Sequence, residues 1–193
     1  MSGIADIAMA DDAAEPGQFD ISASGKSLAH NINIRPANSG DLAALLALET
    51  ICFPDDAWDA DSWRAELEGG GRLVLVAEAR RVVSGNGCEA YGDIVAAACF
   101  HIAGDSAELY TIATLPDWRG LGLATLLLAR GFDWAAGQGA AEMFLEVRLG
   151  NGAQALYADA GFHPLYERTN YYGPGLHALV MRKELKESGA GDE

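Results

Sequence analysis

Apolar and polar residues alternate from Asn31 to Arg35, which predicts a first strand. Asn38 or Ser39 can cap a helix that carries Ala43, Leu45, Leu46 and Leu48. Pro54 stops regular structure inside the run from Phe53 to Trp58. Asp59 or Asp61 caps a second short helix reaching Leu67, which Gly69-Gly70-Gly71 ends. Arg72 to Glu78 reads as a strand, and Val82 to Asp93 as a long hairpin connection. Ile94–Ile102 and Ala107–Leu115 are two further strands, turned at Gly104-Asp105. A helix from Gly122 to Ala136 shows Leu123, Leu126, Leu127, Arg130 and Trp134 at helical spacing. Ala141–Arg148 is a strand, and a short helix covers Ala153–Ala160 and stops at Gly161. Phe162–Tyr172 and His177–Glu184 follow as strands, separated by Gly173-Pro174-Gly175. The order is strand, two helices, three strands, helix, strand, helix, two strands. Such an order predicts a mixed α/β sheet with helices on both faces.

Half of the 193 residues are hydrophobic, which suits one globular domain with tails. Residues 1–29 are rich in Ala, Ser, Gly and Asp and read as a flexible acidic extension. Residues 30–185 form the domain, and 186–193 a frayed polar tail. The net charge of −15 argues against nucleic acid as a direct ligand, since phosphate binding needs a basic surface. It is compatible with a basic protein partner, or simply with solubility. Cys52, Cys88 and Cys99 have no disulfide or metal spacing, and His30, His101, His163 and His177 are isolated, so no metal site is expected. No apolar run approaches a membrane span and no secretory signal opens the chain, so a cytoplasmic setting without membrane contact is expected.

Candidate chemistry gathers in three places. The first is Arg119-Gly120-Leu121-Gly122-Leu123-Ala124, between strand and helix. A glycine turn opening a helix places free backbone N–H groups side by side with the positive end of the dipole behind them, a cradle for phosphate. Arg119 adds a cation at the rim. Glycine turns are also common as plain connections, and this one has neither the dinucleotide fingerprint nor the P-loop spacing. The second is Glu146. Strand parity puts Phe144, Glu146 and Arg148 on one face, opposite Met143, Leu145 and Val147. Glu146 is either paired with Arg148 or on a wet sheet face, or else a general base with a pKa raised by partial burial. The third is Tyr157, either a core residue or a phenolic proton donor. Phe53 and Trp58 are a core plug or a substrate wall, and Tyr171 and Tyr172 belong to hairpin packing or to a peptide groove.

Arg119-x-x-Gly122-x-Ala124 resembles the pyrophosphate motif of the GNAT acetyltransferases. Phe53-Pro54 with Trp58, Leu145-Glu146-Val147-Arg148, Leu156-Tyr157 with Gly161-Phe162, and Arg168 to Tyr172 are similar to the RimI branch, the ribosomal-protein-alanine N-acetyltransferases. The match runs from about Ile34 to Lys183. The resemblance implies a mostly antiparallel sheet of about seven strands, splayed between the fourth and fifth, 107–115 and 141–148. It implies acetyl-CoA in that gap, its pantetheine arm on the backbone of Ile112 and Ala113, and its pyrophosphate on the turn Arg119, Gly120, Leu121, Gly122, Leu123, Ala124 and Thr125. By motif position Glu146 is the general base and Tyr157 the acid for the departing thiolate. The implied acceptor is the N-terminal alanine of a basic small-subunit ribosomal protein, walled by Phe53, Trp58, Tyr171 and Tyr172. Alternatives are acetylation of a small-molecule amine or of lysine, or an acyl-CoA-binding module without turnover. Two positions depart from the pattern. Asn151, matching an asparagine that touches the CoA arm, lies one residue closer to the Leu-Tyr pair, and His177 stands where the family tends to carry an acid.

Overall fold

A computed structural model describes residues 17–21, 30–81 and 92–185. One sheet of eight strands runs through it, in the order β1-β2-β3-β4-β5-β6-β8-β7. Its strands are β1 (Gly17–Ile21), β2 (His30–Pro36), β3 (Arg72–Arg81), β4 (Asp93–Ala103), β5 (Ser106–Thr114), β6 (Glu142–Arg148), β7 (His163–Arg168) and β8 (Ala178–Glu184). The helices are α1 (Leu42–Cys52), α2 (Ala60–Glu68), α3 (Leu123–Gly137) and α4 (Ala153–Asp159). Among the described residues β5 and β6 are parallel and every other neighbouring pair is antiparallel. β1 is one strand more than the seven expected. It lies within the stretch expected as an extension and pairs with β2 from Gly17 opposite Ile34 to Ile21 opposite His30. The connection expected over 82–93 lies outside the described residues as far as position 91.

Burial on both sides of the sheet explains its near-continuous apolar centre. In β4 the side chains of Ala96, Ala98 and Phe100 pack on one face, against Leu123, Leu127 and Leu128 of α3. Ala97 and Cys99 face the other way, toward Leu45 and Leu48 of α1 and Trp63 of α2. Small alanines at alternate positions let the helices approach closely. Gly131 in α3 is needed for the same reason: a Cβ there would run into the Phe100 ring.

The entries to the helices follow local chemistry. Asn38 accepts from the Gly40 N–H while Asp41 accepts from the Asn38 N–H, a capping box ahead of α1. Arg35 then grips both Asp41 oxygens at 2.8 Å, which holds that carboxyl below its ordinary pKa. Asp59 caps α2 through the Ser62 N–H.

Two irregularities shape the functional end. β4 and β5 pair with Cys99 opposite Thr111 but Phe100 opposite Leu109, so Tyr110 is an extra residue in β5. Such a bulge bends its strand. β5 and β6 pair from Ser106 with Glu142 to Leu109 with Leu145 and no further. Beyond those residues the two strands part. The strand expected over Phe162–Tyr172 is shorter, because Asn170 adopts φ 58° and turns the chain back. Its Oδ1 accepts from the Gly175 N–H at 2.8 Å, and its own N–H donates to His177 Nδ1 at 3.2 Å.

Candidate active site

Where β5 and β6 separate, a cleft of about 970 Å³ opens. One side is Tyr110 to Thr114 of β5 and the other Glu146 to Arg148 of β6. One end is closed by the turn into α3, the other by the loop after α1. Its volume lies at the upper end of the ~300–1,000 Å³ range of ligand pockets.

The turn into α3 is built as a cradle. Gly120 and Gly122 hold φ 75° and 79°, a region where a Cβ is strained, and a Cβ on either would project into open space. The first N–H of α3 bonded within the helix is that of Leu126, to the Gly122 carbonyl at 3.0 Å. Those of Leu123, Ala124 and Thr125 precede it and, with no backbone partner among the described residues, can meet an anion. Gly120, Gly122, Leu123, Ala124 and Thr125 all line the cleft, whereas Leu121 does not. Arg119 lines it too, with its Nε donating to the Thr114 carbonyl at 3.0 Å. That bond pins the cation beside the glycines. Ile112, Ala113 and Asn151 also face the cleft. Asn151 Oδ1 is engaged by the Ala153 N–H at 2.9 Å, starting α4.

At the other end, Glu146 and Tyr157 share the cleft. Glu146 lies on the face predicted by strand parity, and its side chain is 33% exposed. Its partner is Arg168 rather than Arg148, at 2.8 Å. β6 opens to solvent here because β5 has already turned away. Tyr157 is 7% exposed. Burial pushes its pKa up to about 12, with the neighbouring Tyr172 adding to the rise. A phenol so placed stays protonated throughout the neutral range.

The wall facing them is aromatic and charged. Trp58 lies 5.1 Å from the ring of Trp63 and 6.4 Å from that of Tyr110, and both Trp58 and Phe53 line the cleft. Trp58 is thus core plug and wall at once. Tyr172 donates to the Glu146 carbonyl at 3.2 Å and its ring lies under Arg148. Tyr171 does not reach the cleft; it packs edge-on against Tyr172 and beneath Arg168. Arg148 bridges the opening to Asp56 at 3.1 Å. Among the described residues no three His, Cys, Asp or Glu side chains are grouped so as to hold a metal ion. No helix among them is long and apolar enough to cross a membrane.

The cleft also holds residues that no sequence motif includes, and Glu49 on α1, 2% exposed, is the most deeply buried titratable one. Burial raises its pKa to about 7, against a small opposing effect of the Trp58 backbone N–H. Its signal was its spacing: Leu45, Leu48, Glu49 and Cys52 make one helical stripe, and a carboxylate on an apolar stripe is the anomaly to look for.

The profile of the acetyltransferase (GNAT) family matches residues 42–162, from the start of α1 through the cradle to the end of α4. The chain is 38% identical over 81 residues to the [ribosomal protein bS18]-alanine N-acetyltransferase of Haemophilus influenzae, covering 40% of this chain and 56% of that protein. It is 39% identical over 82 residues to the Escherichia coli K12 protein of the same name, covering 42% and 55%. The matched segment therefore spans about half the length of these curated relatives. The crystal structure of the Escherichia coli ribosomal-protein-S18-alanine N-acetyltransferase superposes with TM-score 0.67 at 26% identity, over 84% of this chain and 99% of that one. Splayed strands, glycine cradle and matching profile converge: the chain belongs to the acetyltransferase (GNAT) family.

Proposed function

We propose that this protein is an N-terminal α-amino acetyltransferase that takes its acetyl group from acetyl-CoA and transfers it to the N-terminal alanine of a small-subunit ribosomal protein. The observation that carries the reading is one cleft joining an anion cradle to an acceptor chamber that holds a carboxylate and a protonated phenol. The names of the relatives from Haemophilus influenzae and Escherichia coli support the choice of acceptor.

The residues present fit acetyl-CoA. Gly120, Gly122 and the N–H groups of Leu123, Ala124 and Thr125 would hold its pyrophosphate, with Arg119 as counter-charge. Ile112 and Ala113 lie on the stretch of β5 that has lost β6 as a neighbour, so their backbone can bond a ligand instead. Bound acetyl-CoA supplies an acyl group activated as a thioester. Glu146 acts as general base on the acceptor nitrogen, with Arg168 fixing one of its oxygens. Tyr157 acts as general acid for the leaving sulfur, since burial keeps its proton in place. Trp58, Phe53 and Tyr172 wall the acceptor, and the acidic surface favours a basic one.

The test is mass spectrometry of peptides with varied N-termini after incubation with the protein and acetyl-CoA. Acetylation of the α-amine of alanine-initiated peptides is expected. Acetylation confined to lysine side chains or to small amines would overturn the reading, as would an absence of product.

A further inference from the structure

Glu49 combines features that a structural carboxylate does not need. It is almost wholly buried, it lines the cleft, and its Oε2 has no hydrogen-bond partner among the described residues. No Lys, Arg or His pairs with it among those residues. The cations nearest to it are engaged elsewhere, Arg119 with Cys52 and Arg72 with Glu66. Cys52 on α1 and Cys99 on β4 are thiols whose pKa values burial raises. Asp55 and Asp56 follow on the loop, and Tyr110 of β5 lines the same cleft. Arg119, the nearest guanidinium to Cys52, is held by the Thr114 carbonyl. An ionised carboxylate in such a place is destabilised until a cation arrives. The one cation that the proposed reaction brings into the acceptor chamber is the substrate's ammonium.

We propose that Glu49 receives the α-ammonium of the acceptor and takes its first proton, an assignment that rests on the acetyltransferase reading above. Two protons leave the nitrogen as an ammonium becomes an amide. Glu49 takes the first and leaves a neutral amine. The nitrogen lone pair then forms the C–N bond, and Glu146 takes the second proton. The electron pair of the breaking C–S bond goes to sulfur, which receives a proton from Tyr157. Return of one of the two protons to the Tyr157 phenolate leaves a net release of one. Proton transfer between ammonium and carboxylate is efficient when their pKa values are close, and an α-amine near ~8 matches a carboxyl near 7.

The experiment is the pH dependence of kcat/KM with an alanine-initiated peptide and acetyl-CoA, for wild type, Glu49→Gln and Glu49→Asp. Wild type is expected to lose rate on the acid side with a midpoint near 7. In Glu49→Gln solvent must deprotonate the amine, so the midpoint moves to the amine's own ~8. The loss is then about tenfold or more at acidic pH and closes at alkaline pH. Glu49→Asp keeps a carboxylate and the lower midpoint, and decides the matter alone if Glu49→Gln fails to fold. Acetyl-CoA binding should be the same in all three. An equal loss at every pH, no loss, or weaker acetyl-CoA binding would overturn the role of Glu49 while leaving the function standing. No acetylated α-amine with wild type at any pH would overturn the function, and this inference with it.

Discussion

Replacing Glu49 by Gln should stabilise the protein above neutral pH and leave it unchanged at pH ~4.5 and below. The carboxyl's pKa is 4.5 in an ordinary setting and about 7 in the fold, raised by burial. The folded state therefore binds a proton more tightly than the unfolded one. The stability this contributes is fully present below pH ~4.5 and is lost as pH rises through about 7. At ~1.4 kcal/mol for each pH unit between the two values, the ionised carboxylate costs up to about 3 kcal/mol. That is a large fraction of the ~5–15 kcal/mol that holds a domain together. Gln has the same shape and does not titrate. Urea unfolding followed by tryptophan fluorescence, at pH ~4.5 and at mildly alkaline pH, measures the difference. The acid-side measurement stays above the range where Asp41 titrates, because its lowered pKa makes it lose stability only as pH falls below the usual carboxylate range. Equal stability at the two pH values in both proteins, or a variant weaker than wild type at alkaline pH, would refute the reasoning. The predicted gain comes with a loss of rate, the exchange expected where a site keeps a strained group for its chemistry.

Glu146→Gln and Tyr157→Phe should each slow turnover by roughly 10²-fold or more with acetyl-CoA binding intact; steady-state rates beside a binding isotherm check this. Arg119→Ala should weaken acetyl-CoA binding, read by calorimetry, since it removes the cation pinned beside the cradle. Gly131→Ala should destabilise the fold by about 1–3 kcal/mol although Ala favours helix by ~1 kcal/mol, because the added methyl meets Phe100. Chemical denaturation would show it, and a stabilised variant would mean that α3 does not lie so close to β4.

The elements of this fold are written in local patterns, and so is half of the site. Alternation marks the strands, the Gly122–Ala136 periodicity marks α3, and the parity of Met143 to Arg148 places Glu146 on its face. The glycines at 120 and 122 are legible for the same reason: a left-handed turn before a helix is a property of a few consecutive residues. Distances between elements are not local. The partner of Glu146 comes from Arg168, twenty-two positions away on another strand, and not from Arg148 on its own. The cleft itself depends on one extra residue, Tyr110, that makes β5 leave β6, and nothing in the composition of β5 announces a bulge. Leu121 and Tyr171 sit inside the right motifs yet do not line the cleft, since a motif fixes a segment and packing fixes what each side chain meets. Glu49 was visible as a letter on an apolar stripe, but its pKa is set by how completely neighbours exclude water, and that is known only once the sheet, α1 and the loop to Trp58 have closed around it.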